Sequence, residues 1–222
     1  MNQEKRNEKR MVWRGEMALL VAVLINSFGV VLMLYSGAGI SAISSVPFSF
    51  SEVLPRLSLG TWTYIFQGAL VLSLMILKKR FVPMYLFSFV IEFAFGELLD
   101  VYEFWIDVLP TSVGWRIVYF LISYLLISFG IALSNRCGLP IIPTDLFPRE
   151  LQRITGIAYS KIKITFDVLC LAVTVAMTAI CLGHVEGLGI GTVLAAFTMG
   201  KMVALIGKQL DEHFCFCSFL KS

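Results

Sequence analysis

Acidic side chains standing inside apolar runs are the residues of this chain that invite chemistry. Glu92 is the plainest, eleven residues after Phe81 in the apolar run 81–99, roughly 16 Å along a helix rising 1.5 Å per residue and so near the middle of a bilayer. A charge at that depth costs ~2.5–3.5 kcal/mol even on insertion scales. The acid must face other helices, find a partner or keep a proton, and a group under that constraint is suited to carrying one. Glu92, Gly96 and Asp100 recur at a spacing of four, so they share a helix face, and Gly96 lets a helix or ligand approach it closely. Glu97 lies beside them, while Glu103 and Asp107 beyond read as a solvated acidic rim.

Further polar groups stand near the ends of other runs. Asp167 lies one turn inside the run 164–182, and Gln67 one turn inside the run 61–77. Lys161, Lys163 and Lys201 could neutralise Asp167 or an anionic substrate; snorkelling to headgroups is the favoured reading for Lys163, and Lys201 divides evenly between snorkelling and a place on an ion pathway. Bond-making chemistry is not expected. His184 and His213 both fall outside the apolar runs, no nucleophile is set beside a base, and neither a phosphate-binding glycine loop nor an HExxH pattern is present. Neither a metal nor a cofactor is expected: Cys215 and Cys217 beside His213 are spaced too tightly for a zinc site, and this end reads as a plain amphipathic tail.

The elements that must position these groups follow from composition. Hydrophobic residues make up 58% of the 222, charged residues only 15%, and mean hydropathy is +0.83, far from the mixture of a soluble domain. Apolar runs at 17–35, 61–77, 81–99, 115–133, 164–182 and 187–206 each approach the ~20 residues that cross a bilayer as a helix. Six spans leave no room for a soluble catalytic or nucleic-acid-binding domain. With the N-terminus inside, sixteen of the eighteen Lys and Arg residues fall on the inner side and only Arg56 and Arg116 outside, the bias that orients spans during insertion. The expected location is a cell membrane, with both termini cytoplasmic.

The chain also repeats itself. Phe28-Gly29, Gly37 and Pro47 return as Phe129-Gly130, Gly138 and Pro148, each 101 residues later; Phe66 and Gln67 pair with Phe166 and Asp167 at a shift of 100, and Phe93, Gly96 and Glu97 with Phe197, Gly200 and Lys201 at 104. Three spans per copy, an odd number, would send the second copy into the bilayer from the opposite side, the inverted repeat of secondary transporters. The expected fold is an all-α membrane protein of six transmembrane helices in two inverted three-helix repeats, with residues 1–16 a cytoplasmic tail, 17–114 and 115–207 the repeats, and 208–222 a second tail.

After the first span of each copy comes an apolar connection broken by Gly37, Gly39 and Pro47, or by Gly138, Pro140, Pro143 and Pro148. Each is expected to hold a short helix, capped by Ser44, Ser45 or Ser49 in the first and by Asp145, running from Pro148, in the second. Two placements are open. Either the helix starts point inward and line a pathway, offering N–H groups to an anion, or these are interfacial helices packing Phe48, Phe50 and Leu57, or Leu146, Phe147 and Leu151, against headgroups.

The stretch Gly-Leu-Pro-Ile-Ile-Pro-Thr-Asp at 138–145, the Gly-Ile-Gly-Thr at 189–192 and the final span with Gly200 resemble the YczE/YitT group of bacterial integral membrane proteins. That resemblance implies a bacterial inner-membrane location and a transporter-like role without naming a substrate, and it carries over Asp145 in the Pro-x-Asp position. The expectation is a small secondary carrier coupled to an ion through Glu92. The alternative is a membrane subunit that binds a ligand or signals without transporting, or that captures substrate for a larger transporter. Expected partners are membrane lipid, an unidentified small solute and, as an option, further copies of the chain; no nucleic acid is expected.

Overall fold

Apolar backbone that cannot bond to water must bond to itself, and helices do so within one segment. The computed structural model, which describes residues 11–57, 59–185 and 187–218, is accordingly built of α1 (Gly15–Tyr35), α2 (Ser45–Val53), α3 (Leu59–Lys78), α4 (Phe87–Ile106), α5 (Val113–Ser134), α6 (Pro143–Thr155), α7 (Tyr159–Leu182) and α8 (Ile190–His213). Five of them, α1, α3, α5, α7 and α8, are long and apolar enough to cross a membrane. Helix α4 matches them at 20 residues but carries Glu92, Glu97, Asp100 and Glu103. Large apolar side chains such as Phe104, Ile180 and Ile190 stand exposed on the outer faces, a surface suited to lipid.

The third apolar run does not begin at Phe81 as hydropathy suggested. Pro83 opens a short 3-10 turn, Pro83–Leu86, and the α-helix starts only at Phe87. It then continues past Leu99 because its last turns pack onto α1: Tyr102 and Trp105 lie 5.3 and 6.0 Å from the Phe28 ring. Glu92 therefore sits in the second turn, ~8 Å from the start of the helix, and Glu97 takes the middle.

The chain ends also differ from two loose tails. Helix α8 runs on to His213, and Phe214–Cys217 forms a strand, β2, that pairs in parallel with β1, Met11–Arg14. Trp13 packs between Phe214 and Phe216, at 5.3 and 6.1 Å. The boundaries expected at residues 16 and 208 thus fall inside ordered elements, and the two ends of the described chain lie side by side; residues 1–10 and 219–222 of those tails lie outside the described residues.

At the centre α1 crosses α5. Helix α4 flanks α1 and α8 flanks α5, while the short helices α2 and α6 each pack against both α3 and α7. The crossing is close because glycine stands at it twice: a side chain at Gly29 would strike Ile127, and one at Gly130 would strike Asn26. One contact lacks its counterpart. Helix α7 packs along α8, but α3 and α4 barely touch.

Candidate functional site

Both broken connections fold into the bundle rather than onto its outer surface. Gly37 and Gly138 take positive φ of 72° and 75°, conformations that L side chains resist, and each chain segment turns back toward the centre. Pro143 starts α6, where its missing N–H is no loss. Asp145 belongs to this first turn, not to the cap of a helix starting at Pro148, and Pro148 lies inside α6. Helix α2 starts at Ser45 with Pro47 in its first turn, and no serine side chain caps it; Ser45 Oγ instead meets Thr174 Oγ1 at 2.8 Å. Most of the residues weighed as headgroup contacts turn to protein: Leu146 is fully buried, Phe147 packs on Phe166 at 4.9 Å, and Phe50 stacks on Trp62 at 5.0 Å, whereas Leu57 is exposed.

Where these starts meet the long helices lies a cavity of about 370 Å³. Segments 39–44 and 142–145 border it, and α1, α3, α4, α5, α7 and α8 wall it. Its lining brings together four of the side chains singled out from sequence: Gln67, Glu92, Asp145 and Asp167. Gly39 and Pro47 also border it. Gly37, Gly138 and Pro140 shape the turns without reaching the cavity, and Pro143 and Pro148 are buried in α6.

The other candidates lie elsewhere. Glu97 and Asp100 are exposed on α4, and nothing lies within 4 Å of where a side chain at Gly96 would begin. The spacing of four therefore does not carry Gly96 and Asp100 into the cavity beside Glu92. Lys201 is exposed on α8 and does not line the cavity.

Two lining groups were not among the site residues expected from sequence. Lys163, expected to snorkel, is buried and bonds Asp167 Oδ1 at 2.6 Å one turn along α7, with side chains only 5% and 3% exposed. The signal was the i,i+4 spacing of opposite charges. Asn26 lies at the α1–α5 crossing without a charge to draw attention.

The electrostatics of the cavity are acidic. Three carboxyl groups share it with one ammonium, and that ammonium is engaged by Asp167. The Asp145 carboxyl has no hydrogen bond or ion pair among the described residues, and the residue is 5% exposed. Burial pushes its carboxyl from 3.8 up to about 6; Lys163 and Arg149 pull it down, and Asp167 adds to the rise. The Gln67 amide sits beside Glu92, yet Gln67 Oε1, Glu92 Oε2 and Asn26 Oδ1 are buried without a hydrogen-bond partner. An anion site at the start of α6 is not what this arrangement offers, because Asp145 already occupies the first turn and answers the partial positive charge there.

Beyond the cavity, α6 is fastened by Glu150. Its Oε2 accepts from Lys78 Nζ and Tyr85 Oη, both at 2.7 Å, and its Oε1 from Arg153 at 2.6 Å. Burial alone would raise its pKa, but the bonds from Lys78 and Tyr85 and the charges of Arg153 and Arg149 outweigh it and hold the carboxyl below the ordinary range. Across the bundle, Arg136 at the end of α5 grips Asp211 of α8 with two bonds of 2.6 Å.

The molecule is thus a mainly helical protein of membrane type, built around an acidic cavity with apolar walls. It belongs to a family of unknown function, DUF6198, whose model matches residues 13–208. No curated protein and no solved structure matches the chain.

Proposed function

We propose that this protein is a small secondary transporter of a bacterial inner membrane, made of two inverted three-helix repeats that enclose the cavity and move a small solute coupled to an ion. One observation carries the reading. Positions related by the repeat shifts line the same cavity from both sides: Asn26 with Ile127, Val30 with Ile131, Ser44 with Asp145, Thr63 with Lys163, Gln67 with Asp167, Glu92 with Ala196, Phe95 with Met199. A binding site between repeats is where alternating access needs it.

Further features support it. Gly29 meets Ile127 while Gly130 meets Asn26; both residues of the first pair map onto the second at a shift of 101, the reciprocal pattern of contacts around a twofold axis. The side-by-side chain ends support an even number of crossings, and the reading takes α4 as the sixth beside the five apolar helices. The asymmetry of the basic residues supports both ends in the cytoplasm, and the resemblance to the YczE/YitT group supports the same location and role.

The exposed Glu97 and Asp100 on α4 favour a second reading, in which α4 docks on another subunit and the cavity only captures solute. A single cysteine at Thr144, in a chain whose five native cysteines are replaced, separates the two in oriented vesicles of the purified protein. A carrier exposes it to membrane-impermeant thiol reagent from either face, with one face gaining as the other loses when pH is changed. Labelling from one face alone under every condition would sink the carrier reading and leave the capturing subunit.

A further inference from the structure

The polar groups turned into the cavity are short of positive partners. Lys163 is engaged by Asp167 at 2.6 Å, which leaves Glu92 and Asp145 without an ion-pair partner among the described residues. A buried amide oxygen stands with them: Gln67 is 2% exposed, and its Oε1 lacks any hydrogen-bond donor among the described residues, as does Glu92 Oε2. Acceptors without donors in a low-dielectric site are costly to leave unpaired, and Gln67, Glu92 and Asp145 ask for the same complement, N–H donors or positive charge.

The rest of the lining is apolar and includes the rings of Phe48, Phe66 and Phe95. Aromatic faces attract cations, most of all where water is excluded. At about 370 Å³ the space is that of a small organic molecule, far beyond the first coordination shell of a metal ion. An anion would meet two unneutralised carboxyl groups and no free ammonium.

We infer that the cavity binds a small organic cation, its charged head among the oxygens of Gln67, Glu92 and Asp145 and its apolar body against the neighbouring phenyl rings. The inference rests on the carrier reading and names its solute. It also supplies the coupling: a carboxyl that holds a proton cannot at the same time neutralise the cation, so loading the solute releases a proton and loading a proton expels the solute. The groups that face Asp145 and set this balance are Glu92 on α4, Lys163, Asp167 and Tyr159 on α7, and Arg149 on its own helix.

Calorimetric titration of the purified full chain in detergent tests this with three probes: benzyltrimethylammonium, neutral benzyl alcohol and anionic benzoate. The cation is expected to bind at least tenfold more tightly than the other two, more tightly at pH 8 than at pH 5, and with an observed heat that changes with the buffer's ionisation enthalpy, the mark of proton release. Glu92→Gln and Asp145→Asn are each expected to weaken it tenfold or more. The probe series on the unaltered chain decides the outcome, even where a variant fails to fold. Benzoate or benzyl alcohol binding as tightly as the cation, or no binding of the cation, overturns the inference. Cation binding with labelling of the Thr144 position from one face only keeps the ligand and removes the carrier; labelling from both faces with no cation binding does the reverse.

Discussion

At three places where the first half of the chain offers the cavity a neutral polar side chain, Ser44, Thr63 and Gln67, the second half offers Asp145, Lys163 and Asp167 at the matching positions. At a fourth the order reverses, with Glu92 answered by Ala196. The packing differs in the same way. Helix α8 lies so close to α7 that a side chain at Gly200 would press on the Ser160 carbonyl and Ile164, whereas the matching Gly96 faces open space because α3 and α4 barely touch. The lesson is a division of labour: what the halves share is the frame, and what they do not share is charge and tightness. The second half is a locked wall bearing an internal ion pair, the first a looser wall bearing the lone acid.

The largest effect expected from disturbing that contrast is at the ion pair. Lys163→Met strands the Asp167 carboxylate in a buried site and should cost ~3–5 kcal/mol, read as thermal unfolding in detergent. Thr63→Val, the matching change in the first half, should cost under ~1 kcal/mol, since it removes a half-buried hydroxyl with no charged partner. The double change Lys163→Thr with Asp167→Gln, which writes the first half's residues into the second, should recover most of the loss. If the double variant is as unstable as Lys163→Met, the pair does more than neutralise itself.

A smaller, pH-dependent effect is expected at Asp145. With its carboxyl raised from 3.8 to about 6, the folded protein holds a proton between those values that the unfolded chain has released, so stability falls as pH rises through that window. Asp145→Asn removes the cost. It should be more stable than the parent by ~1–3 kcal/mol at pH 8 and no more stable below pH 4. A gain of equal size at both pH values would assign the effect to packing.

The smallest contrast is between the glycines. Gly200→Leu must push α7 from α8 and should cost ~1–3 kcal/mol. Gly96→Leu meets nothing and should be neutral or stabilising by up to ~1 kcal/mol, because leucine is the better helix former. Equal destabilisation by both would mean that α4 is covered by something, as the second functional reading requires.

Much of this was legible in the chain because it is local. Hydropathy marked the apolar helices, glycine and proline marked both breaks, and an acid in an apolar run marked Glu92, with Asp145, Asp167 and Gln67 gathered into the same cavity. What escaped depends on partners far along the sequence. The acids of α4 lower its mean hydropathy and drew the expected run toward Phe81, whereas the true limits are set by Pro83 and by aromatic packing on Phe28. Lys163 near a helix start looks like a snorkelling lysine until α6 closes over it. The grip on Glu150 joins residues up to 72 positions apart, and β1 meets β2 across nearly the whole chain, so neither leaves a local trace.

That last pairing has a mechanical meaning. Under the carrier reading, a hydrogen-bonded staple between the start of the first half and the end of the second would hold one end of the bundle together while the halves move as a lever. A helix of 21 residues such as α1 spans ~30 Å, and a rotation of ~10° about the staple carries the opposite end through ~5 Å, about one helical turn, while the stapled end stays in place.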